Sequence, residues 1–205
     1  MDARIRKIVA GGVFSALVIV LGLTGLGFIP LPTGAAITIL QAPVIIAAIL
    51  EGPLVGFCIG LLFGIFSLVQ AALAGFTPVD IAFLRHPWLA LVPRMLIGPA
   101  AWFMYSLVSG SVFSKKQEIA AQKIQPVRES AAIILGAVVG SLVNTVMVLS
   151  GFTFILPELI TWQTALAMVS MNGTVEAIFS AAISLAVILP WKGISRRGKS
   201  RLTAK

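Results

Sequence analysis

Apolar stretches about as long as a membrane-crossing helix follow one another through nearly the whole chain. Such a helix takes about 20 predominantly apolar residues, and 59% of the 205 residues are hydrophobic whereas 11% are charged. About a quarter of the residues in an ordinary soluble domain are charged, so the composition excludes that class. We predict an all-α integral membrane protein in which six transmembrane helices form a single domain over residues 1–205.

Prolines, glycines and charged residues interrupt the apolar stretches and set the bounds of the predicted helices. The six helices are predicted at about residues 8–29, 38–50, 54–74, 89–112, 131–150 and 164–189, followed by a basic tail at residues 190–205. Predicted helix 2, with thirteen residues, is short for a full crossing. External loops are expected near residues 30–37, 75–88 and 151–163.

The positions of lysine and arginine determine the orientation, because these residues concentrate in cytoplasmic loops. Thirteen of the fifteen lie before predicted helix 1, between predicted helices 4 and 5, or in the tail. Arg85 and Arg94 are the two exceptions. Both termini are therefore predicted to be cytoplasmic in a multi-pass membrane protein. The net charge of +8 follows from this topology and does not indicate a nucleic-acid partner.

The residues that carry most enzyme chemistry are scarce. His86 is the only histidine and Cys58 the only cysteine, so the sequence offers no metal cluster, no internal disulfide and no nucleophile with a neighbouring histidine base. The stretch Gly193–Ser200 matches the phosphate-binding pattern G-x-x-x-x-G-K-S, but no strand precedes it as a nucleotide site requires. We expect neither an enzyme nor a bound cofactor or metal.

Small residues on predicted helix 1 form a smooth face near its cytoplasmic end. Gly12 and Ala16 lie four residues apart, and this spacing lets helix backbones approach closely. Two interpretations fit this face: packing inside the protein, or docking of a second membrane protein.

Polar side chains lie at membrane depth in five of the predicted helices. An ionisable group costs several kcal/mol there unless it is paired or wetted, so it indicates function. Glu176 is about twelve residues into predicted helix 6, roughly 18 Å from the outer end at 1.5 Å per residue, and Asn172 lies one turn further out. The candidate binding residues are Gln41, Gln70, Arg94, Asn144, Asn172 and Glu176.

Nearly all of these polar groups fall in the outer half of the membrane. This bias favours a cavity open to the outside, in which Arg94 offers a positive charge and Glu176, Asn172 and Asn144 offer hydrogen bonds to a small polar solute. The alternative is an internal ion pair between Arg94 and Glu176, with amide hydrogen bonds between helices. One buried cation and several amides would suit a small carboxylate.

Several segments, taken in order, resemble the substrate-binding S components of energy-coupling-factor (ECF) vitamin transporters. Gly12 and Ala16 are similar to the AxxxA face on helix 1 of that family, with glycine in place of the first alanine. Further matches are the "GP...G...G...G" pattern at Glu51–Gly64, "PRxLxG" within Val92–Gly98, "NT" within Gly140–Thr145 and "NxxxE" at Asn172–Glu176.

The resemblance implies a six-helix protein of the bacterial plasma membrane that captures a vitamin or vitamin precursor from outside; pantothenate would suit the buried cation and the amides, and riboflavin-like, folate-like or pyrimidine ligands also remain open. It also implies association with a transmembrane coupling protein and two cytoplasmic ATPases, with the face formed by Gly12 and Ala16 docking the coupling protein. The sequence-based alternative is a stand-alone secondary transporter driven by protonation of Glu176. No inverted repeat of the kind common in such transporters is visible, and a membrane enzyme is the weakest of the three readings.

Overall fold

The computed structural model describes residues 3–30, 36–74, 77–110, 126–158 and 160–203. Over these residues the protein is helical apart from one short hairpin, which confirms the all-α prediction in its main part. The elements are α1 (Ala3–Leu23), β1 (Phe28–Pro30), β2 (Ala36–Thr38), α2 (Gln41–Glu51), α3 (Pro53–Ala74), α4 (Pro78–Arg85), α5 (Trp88–Ser109), α6 (Pro126–Ile155), α7 (Trp162–Met168), a π-helical segment (Val169–Gly173) and α8 (Thr174–Thr203).

Five helical segments are long and apolar enough to cross a membrane. They are Arg4–Leu23, Pro53–Leu73, Trp88–Ser109, Val127–Ile155 and Trp162–Gly193. The predicted second crossing differs from these, because α2 has only 11 residues and rises about 16 Å. Six helical crossings therefore remain a prediction for this chain, whereas five long helices and one short one are observed among its described residues.

The first helix begins and ends about five residues earlier than the range 8–29 predicted from the sequence. It ends at Leu23, and Gly25 then adopts φ +73°, a left-handed conformation that commonly terminates helices. Strand β1 follows and pairs with β2 in an antiparallel hairpin, with Ile29 opposite Ile37. The hairpin occupies part of the region expected to be an external loop, and residues 31–35 lie outside the described residues.

Helix α2 lies at the centre of the protein. Ten of its eleven residues are buried, and the main core cluster gathers around it, including the fully buried side chains of Ile45, Ile97, Ile133 and Ile188. Gly52, with φ +106°, separates α2 from α3. The core is thus built on the shortest of the predicted crossings, which the longer helices enclose.

Two external loops predicted from the sequence contain more helix than expected. Within residues 75–88 the structure has α4, whose Thr77 side chain accepts a hydrogen bond from the Asp80 backbone while Asp80 accepts one from the Thr77 backbone. This reciprocal pair is a capping box, which stabilises a helix start. In the loop predicted at 151–163, α6 continues to Ile155.

The bounds of the last three long helices also differ from those predicted. Helix α5 ends at Ser109, where Gly110 adopts a left-handed conformation, and α6 begins at Pro126. The final crossing starts at Trp162, passes through the π-helical segment and continues to Thr203. The Gly193–Ser200 stretch therefore lies within a helix and not in the strand–loop–helix setting of a phosphate-binding motif.

Close helix contacts depend on glycine where α3 meets α5. A Cβ placed on Gly60 would lie 2.2 Å from the Arg94 carbonyl oxygen, and one on Gly98 would lie 2.6 Å from the Gly56 Cα. Real side chains do not tolerate such distances, so these glycines allow the two backbones to touch. The contact fixes the position of α5, which carries Arg94.

Candidate functional site

Glu176 on α8 is buried and both of its carboxylate oxygens accept hydrogen bonds from the protein. The Thr38 backbone amide donates to Oε1 at 3.0 Å, and the Thr145 hydroxyl donates to Oε2 at 2.8 Å. Glu176 lies about midway along the last crossing between Trp162 and Trp191, whose side chains are 51% and 59% exposed. Since tryptophan favours the two membrane interfaces, the carboxylate lies near mid-membrane.

Gln41, the first residue of α2, is fully buried and forms the centre of a second group of hydrogen bonds. Its Nε2 donates to the Ser141 hydroxyl at 2.7 Å and to the Ser180 hydroxyl at 3.1 Å. Its Oε1 accepts from Asn144 Nδ2 at 3.3 Å. All polar atoms of the Gln41 side chain are therefore engaged with α6 and α8.

Asn144 retains one polar atom that the protein does not satisfy. The Asn144 side chain is buried, and its Oδ1 has no hydrogen-bond partner among the described residues. A buried acceptor without a partner costs about 1–3 kcal/mol. This oxygen is thus a place where a bound molecule could supply a donor.

The guanidinium group of Arg94 on α5 lies close to two aromatic rings. Its guanidinium carbon lies 5.1 Å from the ring centroid of Phe83 and 5.8 Å from that of Phe63, distances typical of cation–π contacts. Nη1 donates to the Leu89 carbonyl at 3.2 Å. Nε is buried and, within the described part of the chain, has no partner.

The internal ion pair considered for Arg94 and Glu176 does not form. Arg6 pairs with Glu51 and Lys192 pairs with Glu129 within 4 Å, and no such pair joins Arg94 to Glu176. The two opposite charges still attract each other across a wider gap. Arg94 is half-buried and its Nε is fully buried. A charged group withdrawn from water is usually paired with an opposite charge, and among the described residues Arg94 has no such partner within 4 Å.

The other two candidate binding residues lie in different settings. Asn172 belongs to the π-helical segment and is half-buried; π-helical turns are often found at functional sites. Gln70 on α3 donates to the Gly22 carbonyl at 3.2 Å, near the end of α1. The structure thus brings Gln41, Asn144 and Glu176 into one network, whereas Gln70 serves the contact between α3 and α1.

The face formed by Gly12 and Ala16 points away from the rest of the protein. Both residues are exposed, and a Cβ placed on Gly12 would meet no atom within 4 Å. Only 11% of the 18-residue apolar stretch by which α1 could cross the membrane is buried inside the protein. Internal packing, one of the two interpretations offered for this face, does not describe its surroundings in the isolated chain.

Ion pairs formed by Arg6 and by Lys192 lie on the basal side of the protein, which we define as the side where α1 begins. Arg6 pairs with the buried Glu51 at 3.1 Å, which links α1 to the end of α2. Lys192 pairs with Glu129 at 3.0 Å and lies 4.5 Å from the ring centroid of Tyr105. These contacts join the helix ends on the side opposite to the hairpin.

Two contributors to the site were not predicted from the sequence. Thr38 acts through its backbone amide, which no residue pattern reveals. Phe63 on α3 was read as part of an apolar stretch, and its contact with Arg94 depends on how α3 and α5 pack. Over the described residues, no group of three or more His, Cys, Asp or Glu side chains is arranged to hold a metal ion.

Comparison with known proteins places the chain in a family. The model of the family "ECF transporter, substrate-specific component" matches residues 6–190. The chain is also similar to the pantothenic acid transporter PanT of Lactococcus lactis subsp. cremoris (strain MG1363), with 25% identity over 166 residues that cover 74% of this chain and 75% of the relative. These matches and the apolar helices identify a multi-pass transport protein of the bacterial cell membrane, not an enzyme. The chain belongs to the family of ECF transporter substrate-specific components.

Proposed function

We propose that this protein captures pantothenate, or a closely similar small carboxylate, from outside the cell and delivers it inward with the help of partner ATPases. The proposal combines family membership with the name of a relative, a pantothenic acid transporter. The observation that carries it is Arg94, whose guanidinium has a buried, unpartnered Nε and no carboxylate within 4 Å among the described residues.

The chemistry of Arg94 suits the acid group of such a ligand. A guanidinium binds a carboxylate through charge-assisted hydrogen bonds, which are shorter and stronger than those between neutral groups. The rings of Phe63 and Phe83 beside it provide an apolar surrounding, in which the attraction between opposite charges is stronger than in water. We assign the ligand carboxylate to Arg94 on these grounds.

The amide side chains would recognise the neutral part of the ligand. Asn144 offers the unsatisfied Oδ1 as an acceptor, and Asn172 lies one helical turn before Glu176. Pantothenate carries hydroxyl and amide groups that can donate to such acceptors. A site that hydrogen-bonds these groups discriminates against analogues that lack them.

The proposed function also requires a defined orientation of the protein in the membrane and partner proteins that supply energy. With the basal side in the cytoplasm, as the distribution of basic residues predicts, the hairpin and α4 face outward. The exposed face formed by Gly12 and Ala16 would dock a transmembrane coupling protein, which connects to two cytoplasmic ATPases. Accumulation of pantothenate by this chain alone in proteoliposomes would overturn the need for these partners.

Calorimetry on the purified protein tests the assignment of the carboxylate. Pantothenate is compared with pantothenol, its neutral alcohol analogue, in the wild type and in Arg94→Gln. If Arg94 binds the carboxylate, R94Q should weaken pantothenate binding about 100-fold, within the range for removing one partner of a buried charge pair. Pantothenol should bind the wild type and R94Q with similar, weak affinity.

Arg85→Gln is the matched control, since Arg85 is the other basic residue outside the basal regions and is exposed. It should leave pantothenate affinity within about threefold, because a solvent-exposed charge contributes little. Equal losses in R85Q and R94Q, or no binding of pantothenate by the wild type, would contradict the proposed function.

A further inference from the structure

The second crossing of this protein is not helical along its whole length. Thr38 at the end of β2 lies at the level of Glu176, near mid-membrane. Gln41 begins α2 at the level of Ser180, one turn further toward the basal side, and Glu51 ends it beside Arg6. Helix α2 therefore occupies the basal half of the membrane, and the strands of the hairpin lead away from its start on the other side.

Extended backbone at this depth creates a demand for hydrogen bonds. A backbone amide in the bilayer core that lacks a partner costs several kcal/mol, so non-helical segments occur there only when surrounding groups satisfy them. Thr38 is the last residue of the hairpin and lies opposite Phe28, and its backbone amide donates to Glu176. The Glu176 carboxylate thus accepts the hydrogen bond that this backbone amide has to donate.

The network repeats the same arrangement one turn lower. Glu176 and Ser180 are four residues apart on α8, and Ser141 and Thr145 are four residues apart on α6. The upper pair, Glu176 and Thr145, holds Thr38. The lower pair, Ser180 and Ser141, holds Gln41.

We infer that Glu176 and Gln41 are positioning residues that fasten the junction between β2 and α2 onto α6 and α8, and that they act on the ligand through Asn144 and not by direct contact. Both oxygens of Glu176 accept from protein donors, one of which is Thr145, the residue that follows Asn144. Gln41 accepts from the Asn144 amide through its Oε1 and so orients it. This inference rests on the proposed function for its effect on ligand binding. The anchoring itself is independent of which ligand is bound.

The test compares Glu176→Gln with Glu176→Ala. A glutamine keeps an oxygen that accepts from the Thr38 amide and gains an NH₂ that can donate to Thr145, so a positioning role predicts rescue. We expect E176Q to bind pantothenate within about threefold of the wild type and E176A at least tenfold more weakly. If E176Q loses as much affinity as E176A, the charge of Glu176 contacts the ligand and the inference is overturned.

Hydrogen exchange, measured by mass spectrometry without ligand, reads the anchoring directly. Peptides that contain the Thr38 amide should exchange at least tenfold faster in E176A and at nearly the wild-type rate in E176Q. Unchanged protection in E176A would overturn the inference. If the wild type does not bind pantothenate, the proposed function fails while this measurement still decides the anchoring.

Thr145→Val provides a second route in case E176A does not fold. It removes the hydroxyl that donates to Glu176 with little change in shape, and it should accelerate exchange at Thr38 by about threefold. Thr153→Val is the matched control, because Thr153 is also a buried threonine on α6 but bonds only the Leu149 carbonyl. Equal exchange rates in T145V and T153V would count against the positioning role.

Discussion

The backbone amide of Thr38 and the carboxylate of Glu176 are joined by a 3.0 Å hydrogen bond across 138 positions of the sequence. One partner ends a strand that follows the first crossing, and the other lies in the last crossing. The bond therefore links the first and last parts of the chain near mid-membrane. Because it also lies beside Gln41 and Asn144, the stability of the fold and the shape of the candidate site depend on the same group.

The ion pair between Arg6 and Glu51 should contribute to stability in an asymmetric way. The Glu51 side chain is 4% exposed and that of Arg6 is 57% exposed. Arg6→Gln leaves a buried carboxylate without its cation and should cost about 1 to 2 kcal/mol, less than for a fully buried pair. Glu51→Gln leaves an exposed arginine and should cost less.

Thermal unfolding of the purified protein measures this difference. Arg4→Gln serves as the control, since Arg4 lies on the same helix and is exposed, and it should leave the unfolding temperature unchanged. A melting temperature for R6Q equal to that of R4Q would show that the pair contributes nothing.

Gly60→Ala should destabilise the protein strongly. The new Cβ would lie 2.2 Å from the Arg94 carbonyl oxygen, so α3 and α5 would have to separate at a cost of about 2 kcal/mol or more. Because the displaced helix carries Arg94, pantothenate affinity should fall as well. Gly12→Ala, which meets no atom within 4 Å, is the control for the added methyl group, and similar melting temperatures in the two variants would refute the packing argument.

Ala16→Trp should prevent association with the coupling protein while leaving ligand binding intact. The bulky ring would project from the small, exposed face of α1, where a partner helix needs close approach. Copurification with the ECF module from cells that express both gives the measurement. Ala182→Trp, at an exposed alanine on α8, should copurify normally, and retention of the partner by A16W would move the docking surface elsewhere.

Thiol labelling on intact cells tests the orientation. Arg85→Cys and Arg4→Cys are each placed in a Cys58→Ser background, and both positions are exposed. A membrane-impermeant maleimide should label R85C from outside and reach R4C only after the cells are opened. Labelling of R4C in intact cells would reverse the predicted topology.

The long helices could be predicted from the sequence because the length of an apolar stretch has to match the thickness of the bilayer. Each of the long apolar stretches in this chain is about that length. The end of α1 could not be placed, since the decisive feature is the positive φ of Gly25 within a stretch that stays apolar to Ile29. Helix α4 did have a signal, the Thr77–Pro78 start with Asp80 in the first turn. That signal is weaker than the hydrophobic runs of α3 and α5 on either side, so the sequence analysis assigns the segment to a loop.

The candidate residues were found from their polarity, but their roles depend on partners that polarity does not reveal. Glu176 and Asn172 share a helix face at a spacing that sequence shows directly. The engagement of Gln41 with Ser141 and Ser180 requires α2 to lie between α6 and α8, which is a property of the packing. The orphaned atoms of Arg94 and Asn144 likewise appear only once their neighbours are known.

The shortness of α2 has a consequence for how the protein enters the membrane during synthesis. A segment of 11 residues is too short for the translocon to release into lipid as a separate crossing. We expect this segment to remain beside α3, which begins directly after Gly52. It can form its hydrogen bonds only after α6 and α8 have been synthesised, because these helices carry Ser141, Ser180 and Glu176. The centre of the folded protein is thus the part that is assembled last.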